Sequence, residues 1–185
     1  MSGSVGWAAA YAEGLLEPLG DRWRLHTVGV AERARRAGVV LAEAEREALV
    51  AAAYLHDIGY APALVATGCH PIDGARHLRE LGYERLAGLV AYHSGARFEA
   101  QLRGLAEELA EFADEGSAVT KLLTYCDMTT GPRGESLTLD ERLAEVNRRY
   151  GPEHVVTRSL CSAARPWLES CVAWAEAALQ RAEVR

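Results

Sequence analysis

The stretch Ala53-Tyr54-Leu55-His56-Asp57-Ile58-Gly59 decides how this chain is read. An apolar, alanine-rich run delivers an imidazole and a carboxylate side by side, then meets a glycine. Burying both groups is costly unless something pairs with them. Divalent transition metals accept imidazole and carboxylate together, so a metal would satisfy both at once.

Working outward, the apolar residues recur with helical period and no alternating strand pattern is present. The spacing predicts helices at about 5–18, 21–37, 43–58, 71–81, 83–94, 99–113, 116–128, 138–149 and 157–182. Gly38, Gly59 to Pro62, Gly68, Gly82, Gly95, Gly131-Pro132 and Gly151-Pro152 punctuate them. Pro71 suits the first turn of a helix. Pro166 implies that the last helix begins near Ala164 or is broken there. No repeat or linker divides the chain, and 185 residues suffice for a core, so the expectation is one domain over residues 1–185. Trp167, Leu168, Cys171, Trp174, Ala175 and Ala178 read as a core stripe, as do Trp7 and Tyr11 near the start.

Composition narrows the function classes. An apolar content of 49% excludes general disorder. A net charge of -6 argues against a nucleic-acid partner, and since Lys121 is the only lysine, any phosphate-binding cation should be an arginine. Cys69, Cys126, Cys161 and Cys171 form no C-x-x-C pair and read as free thiols. The start, Met1-Ser2-Gly3-Ser4-Val5, has no basic region followed by an apolar stretch, and no run is long enough to span a membrane. A soluble, cytoplasmic protein with no membrane partner is expected.

The remaining ligand-type residues fall on apolar helix faces. His26 shares a face with Trp23, Val30 and Ala34, and His93 with Leu86, Leu89 and Val90. Asp127 aligns with Val119 and Leu123. Steps of three and four make such residues neighbours on a helix. Each alone reads as a satisfied core residue. Together, His26, His56, Asp57, His93 and Asp127 come from four helices and all point inward. His70, just before Pro71, could face the same centre from the rim. His77, beside Arg76 and Arg79, and His154 in a loop read as solvated.

The order His26, His56-Asp57, Asp127, in the settings Arg24 to Ala31, Tyr54 to Gly59 and Leu122 to Asp127, resembles the HD-domain superfamily of metal-dependent phosphohydrolases. The resemblance covers about residues 20–130. It implies an all-α, compact helical bundle with an N-terminal helix and a C-terminal helical extension added to that core. It also implies a metal set of His26, His56, Asp57 and Asp127. Relatives with two further histidines hold two metals, and His70 in Cys69-His70-Pro71 and His93 in Tyr92-His93-Ser94 match their order. Asp57 is then the expected bridge between two divalent ions, with Fe or Mn favoured and Mg, Co, Ni or Zn as alternatives. Two such ions can clamp a phosphate and activate water. The implied substrate is a small phosphate ester or nucleotide, with Asp57 orienting water or taking its proton.

One departure stands out. Many relatives place a lysine after the His-Asp-x-Gly segment, where this chain has Tyr60. A phenol supplies no positive charge, so Arg76, Arg97 or Arg133 is expected to meet the phosphate, with Tyr60 and Thr130 helping to position it. Two alternatives remain open at this stage. The same ligand set resembles di-iron oxygenases of this superfamily that cleave C–C or C–P bonds, and a non-catalytic regulatory module is a further reading. The substrate, the metal and the oligomeric state stay open.

Overall fold

The computed structural model describes residues 4–184; Met1 to Gly3 and Arg185, the ends of the expected 1–185 domain, lie outside it. The chain is all-α, and among the described residues there is no strand. The helices are α1 (Val5–Leu16), α2 (Asp21–Ala37), α3 (Glu43–Leu55), α4 (His70–Glu80), α5 (Glu84–Ala91) and α6 (Ala96–Arg103). They continue as α7 (Ala106–Leu109), α8 (Ala118–Met128), α9 (Leu139–Tyr150), α10 (Val155–Arg158) and α11 (Arg165–Glu183).

Helix α3 is the axis of the core. Every residue from Leu49 to Leu55 is buried, and α1, α2, α5 and α8 all pack on it. Three consecutive alanines, Ala51 to Ala53, have no side chain beyond Cβ and let these neighbours come close on several sides. The large side chains Leu49 and Leu55 fill the remaining space; full burial of each contributes roughly 1.5–3 kcal/mol. A smaller cluster of Met128, Leu139, Leu143, Ala164 and Leu168 joins α9 and α11 to the end of α8. Helix α9 starts on a capping box in which Thr138 and Glu141 exchange side-chain and backbone hydrogen bonds.

Two helices end earlier than periodicity predicts, at His56-Asp57 and before His93. Helix α3 stops at Leu55 rather than 58: Asp57 leaves the helical region at φ -101°, ψ 4°, and Ile58–Tyr60 tightens into a 3-10 turn. Helix α5 stops at Ala91 rather than 94, and His93–Gly95 forms a second such turn. There Ser94 sits at φ 49°, the only described non-glycine residue with positive φ. The expected helix 99–113 is two shorter ones, because Gly104 turns left-handed at φ 73° and caps α6. The expected helix 157–182 is also broken: a π turn at Ser159–Ala163 precedes α11, and Pro166 takes the first turn.

All four cysteines are free. No described helix is long and apolar enough to cross a membrane.

Candidate metal centre

The two early helix endings aim histidines inward. His56 caps α3, and its Nδ1–H donates to the carbonyl of Ala53 at 2.8 Å. His93 repeats the arrangement after α5, with Nδ1–H on the Val90 carbonyl at 2.6 Å. His26 from α2 donates Nδ1–H to the Gly131 carbonyl at 3.1 Å. A carbonyl partner on Nδ1 fixes the tautomer and leaves the Nε2 lone pair free. All three Nε2 atoms turn toward Asp57 and Asp127.

His70 opens α4 and reaches the centre because of Gly59. A Cβ on that residue would come within 2.0 Å of the His70 carbonyl, so only glycine lets the Ile58–Tyr60 turn rest against the start of α4. His70 Nε2 then lies 3.3 Å from Asp57 Oδ1 and 3.3 Å from His93 Nε2. On the other side, Asp57 Oδ2 lies 3.4 Å from His56 Nε2 and 3.9 Å from His26 Nε2. Asp127, from the last turn of α8, stands 3.1 Å from His26 Nε2 and 3.8 Å from His56 Nε2 through Oδ1. Its other oxygen accepts the Ser94 hydroxyl, which the unusual backbone of Ser94 directs inward.

Two groups of three have ligand atoms close enough to share a metal ion: His26, His56 and Asp57, and Asp57, His70 and His93. They meet at Asp57, which offers one oxygen to each. Burial pushes the Asp57 carboxyl up, but His56, His70 and His26 outweigh it and hold the group below the usual carboxylate range. Asp127 goes the same way and further, against burial, through the close approach of His26 and the electrostatic influence of His56 and Arg142. Burial pushes His70 down to about 3 and lowers His93 as well. Neutral imidazoles beside ionised carboxylates are the protonation states that metal ligands require. His56 Nε2 is fully buried with no hydrogen-bond partner, an expensive orphan that a cation would satisfy. The donor set thus fits divalent transition metals.

The cavity over this centre is lined by Arg22, Trp23, Tyr60, Arg142, Arg149 and Tyr150 among others. Tyr60 stacks on His70 at 4.0 Å and packs at a tilt of 46° against Trp23 at 4.4 Å. Burial and the Asp57 charge raise its phenol well above 10, so it keeps its proton and serves as a donor.

The cations expected from sequence are elsewhere. Arg76 pairs with Glu111 at 3.0 Å on the outer side of α4. Arg97 lies over the rings of Phe98 and Trp167 beside a different cavity. Arg133 is largely exposed and sits 3.8 Å from Glu135. Thr130 is buried, but its hydroxyl donates to the Cys126 carbonyl and accepts from Arg33, so it braces a loop. Proximity in sequence to a ligand did not orient these side chains, because each leaves its turn on the face away from the cavity. His77 is held by the Tyr11 hydroxyl at 2.6 Å, and His154 caps α10.

Arg142, which the sequence reading passed over, carries a signal that could have found it. It shares the apolar face of α9 with Leu139, Leu143 and Val146, an uneconomical place for a charge unless the charge has a task. Arg22 likewise precedes His26 by one helical turn.

No curated protein and no solved structure matches the chain significantly. The HD domain model matches residues 24–145, a span that contains all six inward His and Asp residues, and the chain therefore belongs to the HD domain family.

Proposed function

We propose that this protein is a metal-dependent phosphohydrolase acting on a small phosphate ester or nucleotide through two divalent ions. The observation that carries the reading is Asp57, whose two oxygens face two separate groups of imidazoles. On this reading His26, His56, Asp57 and Asp127 would hold one ion, and Asp57, His70 and His93 would hold the other. Two bound ions would supply Lewis-acid polarisation of a phosphoryl oxygen and a water of lowered pKa. Iron and manganese suit these ligands best.

The chain's own side chains do the rest. Asp57 stays ionised and is the group at the centre able to orient a water or take its proton. Tyr60 keeps its proton and offers the cavity a hydrogen bond while fixing the His70 ring. Arg142 stands 3.6 Å from Asp127 Oδ1 and supplies the positive charge that the lysine of many relatives would give. Trp23, Tyr60 and Tyr150 give the cavity an aromatic wall for the remainder of the substrate.

The test is metal content together with phosphate release from a panel of nucleotides and sugar phosphates, with Mn or Fe supplied. The expected result is about two ions per chain and hydrolysis that disappears in His56→Ala and Asp57→Ala. Activity persisting in both variants overturns the proposal. Bound iron, an absorption band on oxidation and oxygen consumption without phosphate release would place the protein with the oxygenases.

A further inference from the structure

We infer that Arg22, Arg142 and Arg149 form an anion track beside the metal centre that selects substrates carrying a second anionic group next to the reacting phosphoryl group. The inference rests on the phosphohydrolase reading and adds the specificity of its site.

Arg142 and Arg149 lie two helical turns apart on one face of α9. Both reach the same carboxylate. Arg142 Nη1 lies 2.5 Å from Glu145 Oε2, Arg149 Nε lies 3.0 Å from Oε1, and Arg149 Nη2 also meets Oε2. Glu145 therefore draws the two guanidiniums together, although their backbones are roughly 10 Å apart by helical rise. Arg142 is the inner member. Its side chain is only 8% exposed, its Nη2 faces Asp127, and its Nε is buried with no partner. From the opposite side, α2 brings Arg22 to the same cavity. Among the described residues no carboxylate lies within ion-pair distance of Arg22.

Of the carboxylates at this wall, Asp127 belongs to the metal centre, which leaves the three guanidiniums facing Glu145 alone with positive charge in excess. Excess charge of one sign in a partly closed cavity is a poor way to hold a fold together, since each cation is desolvated and repels its neighbours. Burial, followed by repulsion from Arg149, lowers Arg22 from the ordinary arginine value. The arrangement is suited to an anion, and planar forks take phosphate or carboxylate oxygens in pairs. One phosphoryl group at the centre engages Arg142, the cation beside Asp127. Arg149 and Arg22, farther from the ligands, are left for a neighbouring anion. The matching chemistry is a second phosphate or a carboxylate within a few bonds of the first phosphate.

The experiment is calorimetric titration of the metal-loaded protein with methylphosphonate and with methylenediphosphonate, neither of which is hydrolysed at its P–C bonds by this chemistry. Metal content is measured before and after, so that chelation by the diphosphonate is counted separately. Wild type should bind the diphosphonate at least tenfold more tightly. Arg149→Gln and Arg22→Gln should each remove most of that gain while changing methylphosphonate affinity less than about twofold, and Arg149→Lys should restore part of it. Equal affinity for the two probes in wild type, or an equal loss of both in the variants, overturns the inference. If methylphosphonate binds and simple monoesters are hydrolysed without any diphosphonate advantage, the inference alone fails. If metal is retained and neither probe binds, the phosphohydrolase reading falls with it.

Discussion

The two sides of Asp57 are built differently. On one side His26 and His56 are buried, both imidazoles are pinned through Nδ1 to backbone carbonyls, and Asp127 stands beside them under Ser94 and Arg142. On the other side His93 is pinned in the same way, but His70 is 13% exposed in its side chain. Among the described residues His70 Nδ1 has no hydrogen-bond partner. It is held by stacking on Tyr60 and by the contact of Gly59 with the start of α4. The first side is rigid because the helices themselves carry it. The second depends on one turn resting against one helix end and opens to the cavity. A centre so divided has one half held by buried backbone contacts and the other bordering the cavity.

The strongest way to break the contrast is to remove one histidine from each side. His56→Ala should abolish activity, by about 10³-fold or more, and strip both ions, because Asp57 loses its buried partner. His70→Ala should leave close to one ion per chain, with activity down by about 10- to 100-fold. Elemental analysis of the two purified variants decides this, and equal metal loss would erase the distinction. Gly59→Ala tests the support of the second side. The added methyl meets the His70 carbonyl, so the turn must move, at an expected cost of about 2–3 kcal/mol in chemical unfolding and with preferential loss of one ion.

Acid should act on the second side in the metal-free protein. Burial holds His70 at about 3 and lowers His93, whereas the unfolded chain takes up protons on histidine near 6.5. The unfolded state therefore binds more protons below that pH, and stability falls as pH drops from about 6.5 toward 3. The expected slope is about 1 kcal/mol per pH unit for His70, and His70→Gln should flatten it in denaturant titrations between pH 7 and 5. The smallest effect is expected from Tyr60→Phe, which keeps the stack on His70 and deletes the donor. A two- to fivefold fall in kcat with unchanged metal content would match a hydrogen-bonding role, while loss of an ion would show that the hydroxyl supports His70.

Much of this was legible before any coordinates. The helical period placed α2, α3, α5, α8 and α9 to within a few residues, since each buries one continuous face. All six His and Asp residues singled out along the chain come together at one centre. They were visible because a metal-ligand side chain on an apolar stripe contradicts its surroundings. Less visible were the places where helices stop. Gly104 ends α6 by turning left-handed, and Ser94 takes positive φ in the turn between α5 and α6 without being a glycine, where it contacts Thr124 and Asp127.

The arginines mark the boundary between the two kinds of information. Which elements carry ligands follows from period and spacing, because a helix fixes the direction of residues three and four apart. Which cation faces the cavity depends on how separate helices pack. Long, flexible guanidinium stems near the ligands found partners at Glu111, at Glu135 and over Trp167. The sequence by itself determined an all-α chain with a six-residue His and Asp centre. Only the tertiary structure decided that Arg142, Arg149 and Arg22, from helices more than a hundred residues apart, supply its positive wall, because packing and not proximity along the chain sets where a mobile charge comes to rest.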